Sequence, residues 1–170
     1  MLTAEPNTGL SATLGTVESQ GIEFQLTTDL TANTRLDFSY AYTDAQTANE
    51  VNNLDWGVTI PKGSRLINVA KHAGYISLNH YTKLMEKEAF FGATVRYVGD
   101  RLGETTDAGF ILPSYTLVNL SASLALNEKL SVKFDVNNLF DEVYFENSYH
   151  KLWVMPGSPV NYTASVKYQF

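Results

Sequence analysis

The stretch that most constrains this chain is Asn161 to Phe170, where Tyr162, Ala164, Val166, Tyr168 and Phe170 alternate with Asn161, Thr163, Ser165, Lys167 and Gln169. A side-chain period of two puts the apolar groups on one face of an extended strand and the polar groups on the other. The run is ten residues long, and a tilted strand needs about ten residues to cross a bilayer. Six earlier segments repeat the template. Ile22, Phe24 and Leu26 oppose Glu23, Gln25 and Thr27, and Leu36, Phe38, Tyr40 and Tyr42 oppose Arg35, Asp37, Ser39 and Thr43. Gly74, Ile76 and Leu78 oppose Tyr75, Ser77 and Asn79, the weakest case, and Ala89, Phe91, Ala93, Val95 and Tyr97 oppose Gly92, Thr94 and Arg96. Val118, Leu120, Ala122, Leu124 and Leu126 oppose Asn119, Ser121 and Ser123, and Leu130, Val132, Phe134 and Val136 oppose Ser131, Lys133, Asp135 and Asn137. The pattern predicts an all-β chain of seven amphipathic strands, with residues 1–17 as loop.

The links between these strands alternate strictly in length. Those at 29–33, 84–87 and 127–128 are short, and those at 44–70, 99–112 and 141–159 are long. Successive strands run antiparallel, so all short links share one end of the sheet and all long links share the other. Short periplasmic turns and long extracellular loops are the asymmetry of bacterial outer-membrane barrels. That reading puts Phe170 on the periplasmic side and residues 1–17 on the extracellular side.

Side-chain chemistry agrees. Glu23, Arg35, Asp37, Arg96, Lys133, Asp135 and Lys167 all fall on the polar face; charges of both signs suit a hydrated lumen and are costly in hydrocarbon. Tyr42, Tyr97, Tyr168 and Phe170 fall toward strand ends on the apolar face, where interfacial aromatic girdles lie. A soluble sheet packed on a second sheet is the rival, but nothing remains in the chain to cover seven apolar faces.

Composition removes other classes. Net charge is −6 with dispersed Lys and Arg, which speaks against a nucleic-acid partner. There is no cysteine, hence no disulfide or thiolate chemistry. No run of eighteen apolar residues offers a transmembrane helix. The opening Met1 to Pro6 lacks the basic start and apolar core of a signal peptide, so an exported protein beginning this way is expected to be incomplete. The histidines His72, His80 and His150 are too dispersed for metal-ligand spacing, and no phosphate loop or nucleophile elbow occurs. No catalytic group, metal site or cofactor is expected.

Several motifs resemble the C-terminal part of the barrel of TonB-dependent outer-membrane receptors. Gly21-Ile22-Glu23 is similar to the opening of a late strand there, and Tyr97-Val-Gly-Asp-Arg101 to a strand end entering an extracellular loop. Asn137-Asn-Leu-Phe-Asp141 with Tyr144 resembles the family's Asn-Leu-Phe-Asp-x-x-Tyr segment, and Pro156-Gly-Ser-Pro159 its approach to the last strand, although Val160 stands where a basic residue is common. The resemblance covers the whole chain, residues 1–170. It implies the last seven strands of a 22-stranded barrel with a plugged lumen, an incomplete barrel without the plug domain, earlier strands and TonB-coupling segment. Alone, such a piece should transport nothing.

The same resemblance implies residence in the outer membrane of a Gram-negative bacterium and uptake of a ligand such as a ferric siderophore. The implied partners are outer-membrane lipid, TonB through the absent segment, and barrel-assembly machinery that reads the aromatic chain end at Tyr168 and Phe170. Ligand recognition would fall to the long loops, where Trp56, Arg65, Arg101, Tyr149, His150 and Trp153 are candidates because aromatic and cationic groups suit an anionic chelate. Each also has a plain structural reading, as a residue packing or solvating its own loop. For Asn138 to Asp141 the structural reading, a strand-to-loop transition capped by local hydrogen bonds, is the favoured one. The alternative function is a small self-contained outer-membrane barrel with a structural or adhesion role, its eighth strand hidden in residues 1–17, although residues 9–17 lack the alternation.

Overall fold

The computed structural model describes residues 2–4, 11–13, 15–53, 58–105 and 107–170, and the side chains of 15–52, 59–105 and 107–170. Seven long strands are present: β1 (Val17–Thr31), β2 (Thr34–Thr47), β3 (His72–Leu84), β4 (Lys87–Val98), β5 (Tyr115–Ala125), β6 (Leu130–Asn137) and β7 (Asn161–Tyr168). Each pairs antiparallel with its neighbour in sequence, giving one seven-stranded meander with β1 and β7 at its edges. Among the described residues no helix occurs.

Register carries the alternation across the whole sheet. Leu36 pairs with Leu78, Leu78 with Ala93, Ala93 with Leu120, Leu120 with Val136, and Val136 with Tyr162. One step along, Thr27 pairs with Asp37, Asp37 with Ser77, Ser77 with Thr94, and Thr94 with Asn119. Because a one-residue slip would exchange the two faces, this match of pattern to pairing fixes the register.

Among the described residues, most large side chains of the apolar face are left exposed. Leu120 is 39% exposed and Val166 72%, with Ile22, Phe24, Ile76, Leu78, Phe91 and Phe134 between, while Val136 and Ala89 on the same face are buried. An apolar surface of this extent suits hydrocarbon and not water. The polar face instead satisfies itself. Thr27 Oγ1 donates to Asp37 at 2.8 Å, Asn79 Nδ2 donates to the other Asp37 oxygen at 3.1 Å, and the Ser77 and Thr94 hydroxyls meet at 2.9 Å. Lys133 pairs with Asp135 at 2.8 Å on the same face.

The turns explain the short links. Met85 and Glu86 both take positive φ, 52° and 62°, as a two-residue hairpin matched to strand twist requires. Asn127 Oδ1 accepts from the N–H groups of Lys129 and Leu130 at 2.9 and 3.0 Å, an Asx turn that closes β5 onto β6.

Two boundaries differ from expectation. β1 and β2 stay paired up to Val17 and Thr47, beyond the end of the apolar alternation. β1 has 15 residues, more than the roughly ten a crossing needs, so its upper part stands where both faces are wet and hydropathy no longer marks a strand. The long links, read as irregular, each contain paired backbone: Val51–Asn53 with Val58–Ile60, Arg101–Leu102 with Ile111–Leu112, and Phe145–His150 with Trp153–Pro156. Leu2–Ala4 likewise pairs with Ser11–Thr13 inside the stretch expected to be loop.

At the two ends of the apolar face aromatic residues gather. Tyr40 and Tyr42 flank His72, whose Nδ1 meets the Tyr40 hydroxyl at 2.8 Å, beside the long loops. Tyr168 and Phe170 stand edge to face, 5.2 Å between centroids, beside the short turns. The expected girdle residues occupy those ends, and His72 joins them.

Candidate ligand-recognition cap

At the long-link end of the sheet, the described parts of loops 48–71, 99–114 and 138–160 gather above the strands. Their floor is apolar: Val98, Tyr115 and Leu117 form a buried cluster, against which Ala70 and Tyr144 pack from two of the loops. Tyr115 and Tyr144 rings lie 4.6 Å apart.

The base of the third loop is a clip built by Asn138 to Tyr144. Asn138 takes φ 53° and is 3% exposed. Its side-chain Nδ2 donates to the Glu142 and Ser158 carbonyls at 2.9 and 3.1 Å, while its Oδ1 accepts from Glu142 N–H at 2.8 Å. Asp141, also left-handed, accepts from Val160 N–H at 2.8 Å. One loop is thereby pinched shut immediately before β7. These hydrogen bonds form the capped strand-to-loop transition expected of the motif.

Beyond the clip, the Phe145–His150 and Trp153–Pro156 hairpin carries two of the candidates side by side. Tyr149 and Trp153 rings lie 6.1 Å apart at an interplanar angle of 26°, and they are 64% and 69% exposed. His150 stands beside them: its Nδ1 accepts from Leu152 N–H at 3.2 Å, and its Nε2 is 3.3 Å from Glu104. Glu104 is buried, and its second oxygen accepts from Lys151 N–H at 3.1 Å.

Both arginine candidates serve internal partners. Arg65 holds Asp100 through two bonds of 2.9 Å, one to the carboxylate and one to the carbonyl. The Arg65 hydrogen bond, ahead of its charge, holds the Asp100 carboxyl below the usual carboxylate range. Arg101 is 3% exposed. Its guanidinium donates to the Phe145 and Glu146 carbonyls at 2.6 Å each and lies 5.3 Å over the Tyr115 ring. Trp56 lies outside the described residues. Thus Tyr149, His150 and Trp153 come together, Arg65 sits in a separate ion pair, and Arg101 lies beneath the hairpin.

Sequence reasoning missed Asn68, Glu104 and Ser148. Asn68 donates to the Ser148 carbonyl at 2.7 Å and accepts from its N–H at 2.8 Å; Ser148 Oγ donates to the Gly103 carbonyl at 2.6 Å. A lone Asn between Ile67 and Val69 gives no local signal of this role. Among the described residues, no group of three or more His, Asp or Glu side chains could hold a metal ion.

The family model for the TonB dependent receptor-like β-barrel matches residues 1–139. The chain belongs to the TonB-dependent receptor β-barrel family. It is 42% identical over 168 residues to the metal-pseudopaline receptor CntO of Pseudomonas aeruginosa, a match covering 98% of this chain and 23% of that protein. It is 30% identical over 152 residues to the ferrioxamine B receptor of Salmonella typhimurium, covering 84% of this chain and 20% of the relative. The fold matches the crystal structure of the siderophore receptor PiuA from Acinetobacter baumannii with a TM-score of 0.80 at 20% identity, over 95% of this chain and 23% of that one. The chain therefore spans about a quarter of the length of the proteins it matches. These relatives are named as receptors and not as enzymes; in a transmembrane barrel an apolar strand face is the outer wall and a polar one the lumen.

Proposed function

We propose that this chain is the C-terminal barrel segment of an outer-membrane receptor that imports metal chelates, siderophore-like metallophores in particular. It supplies part of the barrel wall and one wall of the extracellular ligand site. The single observation carrying the ligand side is the exposed Tyr149–Trp153 pair on a hairpin held above a polar lumen wall. Paired aromatic faces offer apolar contact and attraction to electron-poor or cationic groups of a chelate, and His150 adds a hydrogen-bonding group beside them. The likeness to receptors named for metal-pseudopaline and ferrioxamine B supports this substrate class. Energy coupling would come from TonB acting on a part of the receptor outside these residues. Tyr168 and Phe170 would serve assembly: deleting Phe170 from the full-length receptor should lower the amount of folded barrel in the membrane.

The test uses the full-length receptor carrying this segment, with metal-pseudopaline and ferrioxamine B as probes. One of them should bind, and Tyr149→Ala with Trp153→Ala should each weaken that binding about thirtyfold, the scale of a central aromatic contact. Binding of neither probe by a folded receptor would refute the substrate class; binding unaffected by both substitutions would refute the site.

A further inference from the structure

We propose that Asn68, Arg101 and Ser148 are positioning residues that join the three long loops into one pre-assembled cap, so that the Tyr149–Trp153 face is set by contacts from the other two loops. The inference rests on the ligand-site reading above for its purpose, although the cap itself stands on geometry alone.

Within its own loop, the 145–156 hairpin pairs with itself and is tied at its base by Asn138, by Asp141 and by the Gly157 N–H bond to the Tyr144 carbonyl. Its far half is further tied to the other two loops. Arg101 takes the carbonyls of Phe145 and Glu146, Asn68 and the Gly103 carbonyl take Ser148, and Glu104 takes the N–H of Lys151. These ties fall on successive points of one strand. In an extended strand neighbouring side chains leave on opposite faces. Here the register shifts between Ser148 and His150, so Tyr149 is the extra residue of a bulge; with Ser148 buried at 2% exposure, Tyr149 stands 64% exposed.

Asn68 is where the three loops meet. Its φ of 61° lets its N–H reach the Leu102 carbonyl at 2.9 Å while its side chain grips Ser148. One residue of the 48–71 loop thus touches both of the others. Ile67 beside it bridges to Leu102, and Arg65 holds Asp100. A cap assembled in advance removes part of the ordering cost of binding. Ligand contact on the hairpin would then be felt in all three loops.

The test needs no ligand. In the full-length receptor, Asn68→Gly keeps the left-handed backbone and deletes only the side-chain grip. Asn68→Asp keeps one of its two bonds. Arg101→Lys keeps the charge but not the fork that spans two carbonyls. Limited trypsin cleavage after Lys151 reports the hairpin, and cleavage after Lys62 reports the first loop. Asn68→Gly should raise both rates about thirtyfold, as loss of two hydrogen bonds implies, and Asn68→Asp should raise them at least as much, because its second oxygen opposes the Ser148 carbonyl. Arg101→Lys should raise both as well, and all variants should keep the heat-resistant mobility of a folded barrel. No change, or a change confined to the loop carrying the substitution, overturns the proposal. Where a probe binds the wild type, Asn68→Gly should weaken it in parallel with the loosening. A cap that loosens as expected in a receptor that binds neither probe would count against the proposed function and leave the cap standing.

Discussion

Asn68 and Ser148, eighty positions apart, are joined by two opposed hydrogen bonds of 2.7 and 2.8 Å between the Asn68 side-chain amide and the Ser148 backbone. An amide side chain presents the same donor and acceptor pair as a peptide group. Asn68 therefore supplies a single rung of sheet to the edge of the Phe145–His150 strand. Unpaired strand edges recruit foreign strands, so this rung both anchors the hairpin and blunts its edge. The tie adds to the buried Val51, Ile60, Leu102 and Leu112 in keeping the long loops ordered.

The two faces of the wall should respond oppositely to charge. Leu120 lies mid-strand on the outer wall, while Ser121 beside it points to the lumen and pairs with Asp135 in the ladder. In the full-length receptor, Leu120→Lys should destabilise the barrel by about 2–4 kcal/mol, the cost of a cation near the bilayer midplane. Ser121→Lys should cost much less. The folded fraction in lipid vesicles, read by heat-modifiable gel mobility, checks this; equal effects would mean the faces are misassigned.

The alternation of Leu36, Phe38 and Tyr40 with Asp37 and Ser39 made the wall legible in the sequence, because a strand between lipid and water must show its two environments in every residue. Link length made the polarity of the sheet legible for the same reason, since each turn is local. The cap was not legible. Its hairpins are too short to display an alternation, and ties such as Asn68 with Ser148 join positions that no local pattern connects. Arg101 illustrates the difference: a cation in a loop suggests an anionic ligand, but two backbone carbonyls of another loop satisfy the same chemistry. Tyr149 and Trp153 were recognisable as aromatic loop residues, and only the two-residue link Lys151 to Leu152 brings them face to face.

Asn138 should be among the most sensitive loop positions. Its side chain makes three hydrogen bonds within the clip, and its φ of 53° disfavours any residue with a branched or bulky side chain. At about 1 kcal/mol per bond, Asn138→Gly should lower local stability by about 3 kcal/mol. Asn138→Ala should lose about 1 kcal/mol more for the strained backbone. Amide exchange across 139–160 is the measurement, and protection equal to wild type in the Gly variant would remove the clip from the account.

Acid should loosen the tie between the first two loops. Asp100 has its carboxyl lowered by Arg65, so the folded state binds a proton less readily than the unfolded chain. The contribution is complete above the ordinary carboxylate value of about 3.9 and is lost as pH falls through the lower folded-state value. Because the pair is largely exposed, it should contribute no more than about 1 kcal/mol. Pepsin cleavage in residues 62–70 should be faster in Asp100→Asn than in wild type near pH 4. The ratio should approach one at still lower pH, and a ratio independent of pH would show that the ion pair holds nothing.

Gly157 and Tyr144 should be energetically coupled. Gly157 N–H donates to the Tyr144 carbonyl at 2.8 Å, and a Cβ placed at Gly157 would overlap the Tyr144 ring. That ring cannot retreat without giving up its contact with Tyr115, 4.6 Å away. Gly157→Ala should therefore lower the local stability of the clip by about 1–3 kcal/mol, the usual range for overpacking. Tyr144→Ala opens a gap at the buried cluster and should be destabilising by itself. In the double variant the new methyl falls into that gap, so the combined loss should be smaller than the sum of the single losses by about 1 kcal/mol or more. Amide exchange of Asp141 to Val160 in all four proteins gives the cycle. Additive losses would mean that Tyr144 is free to move aside.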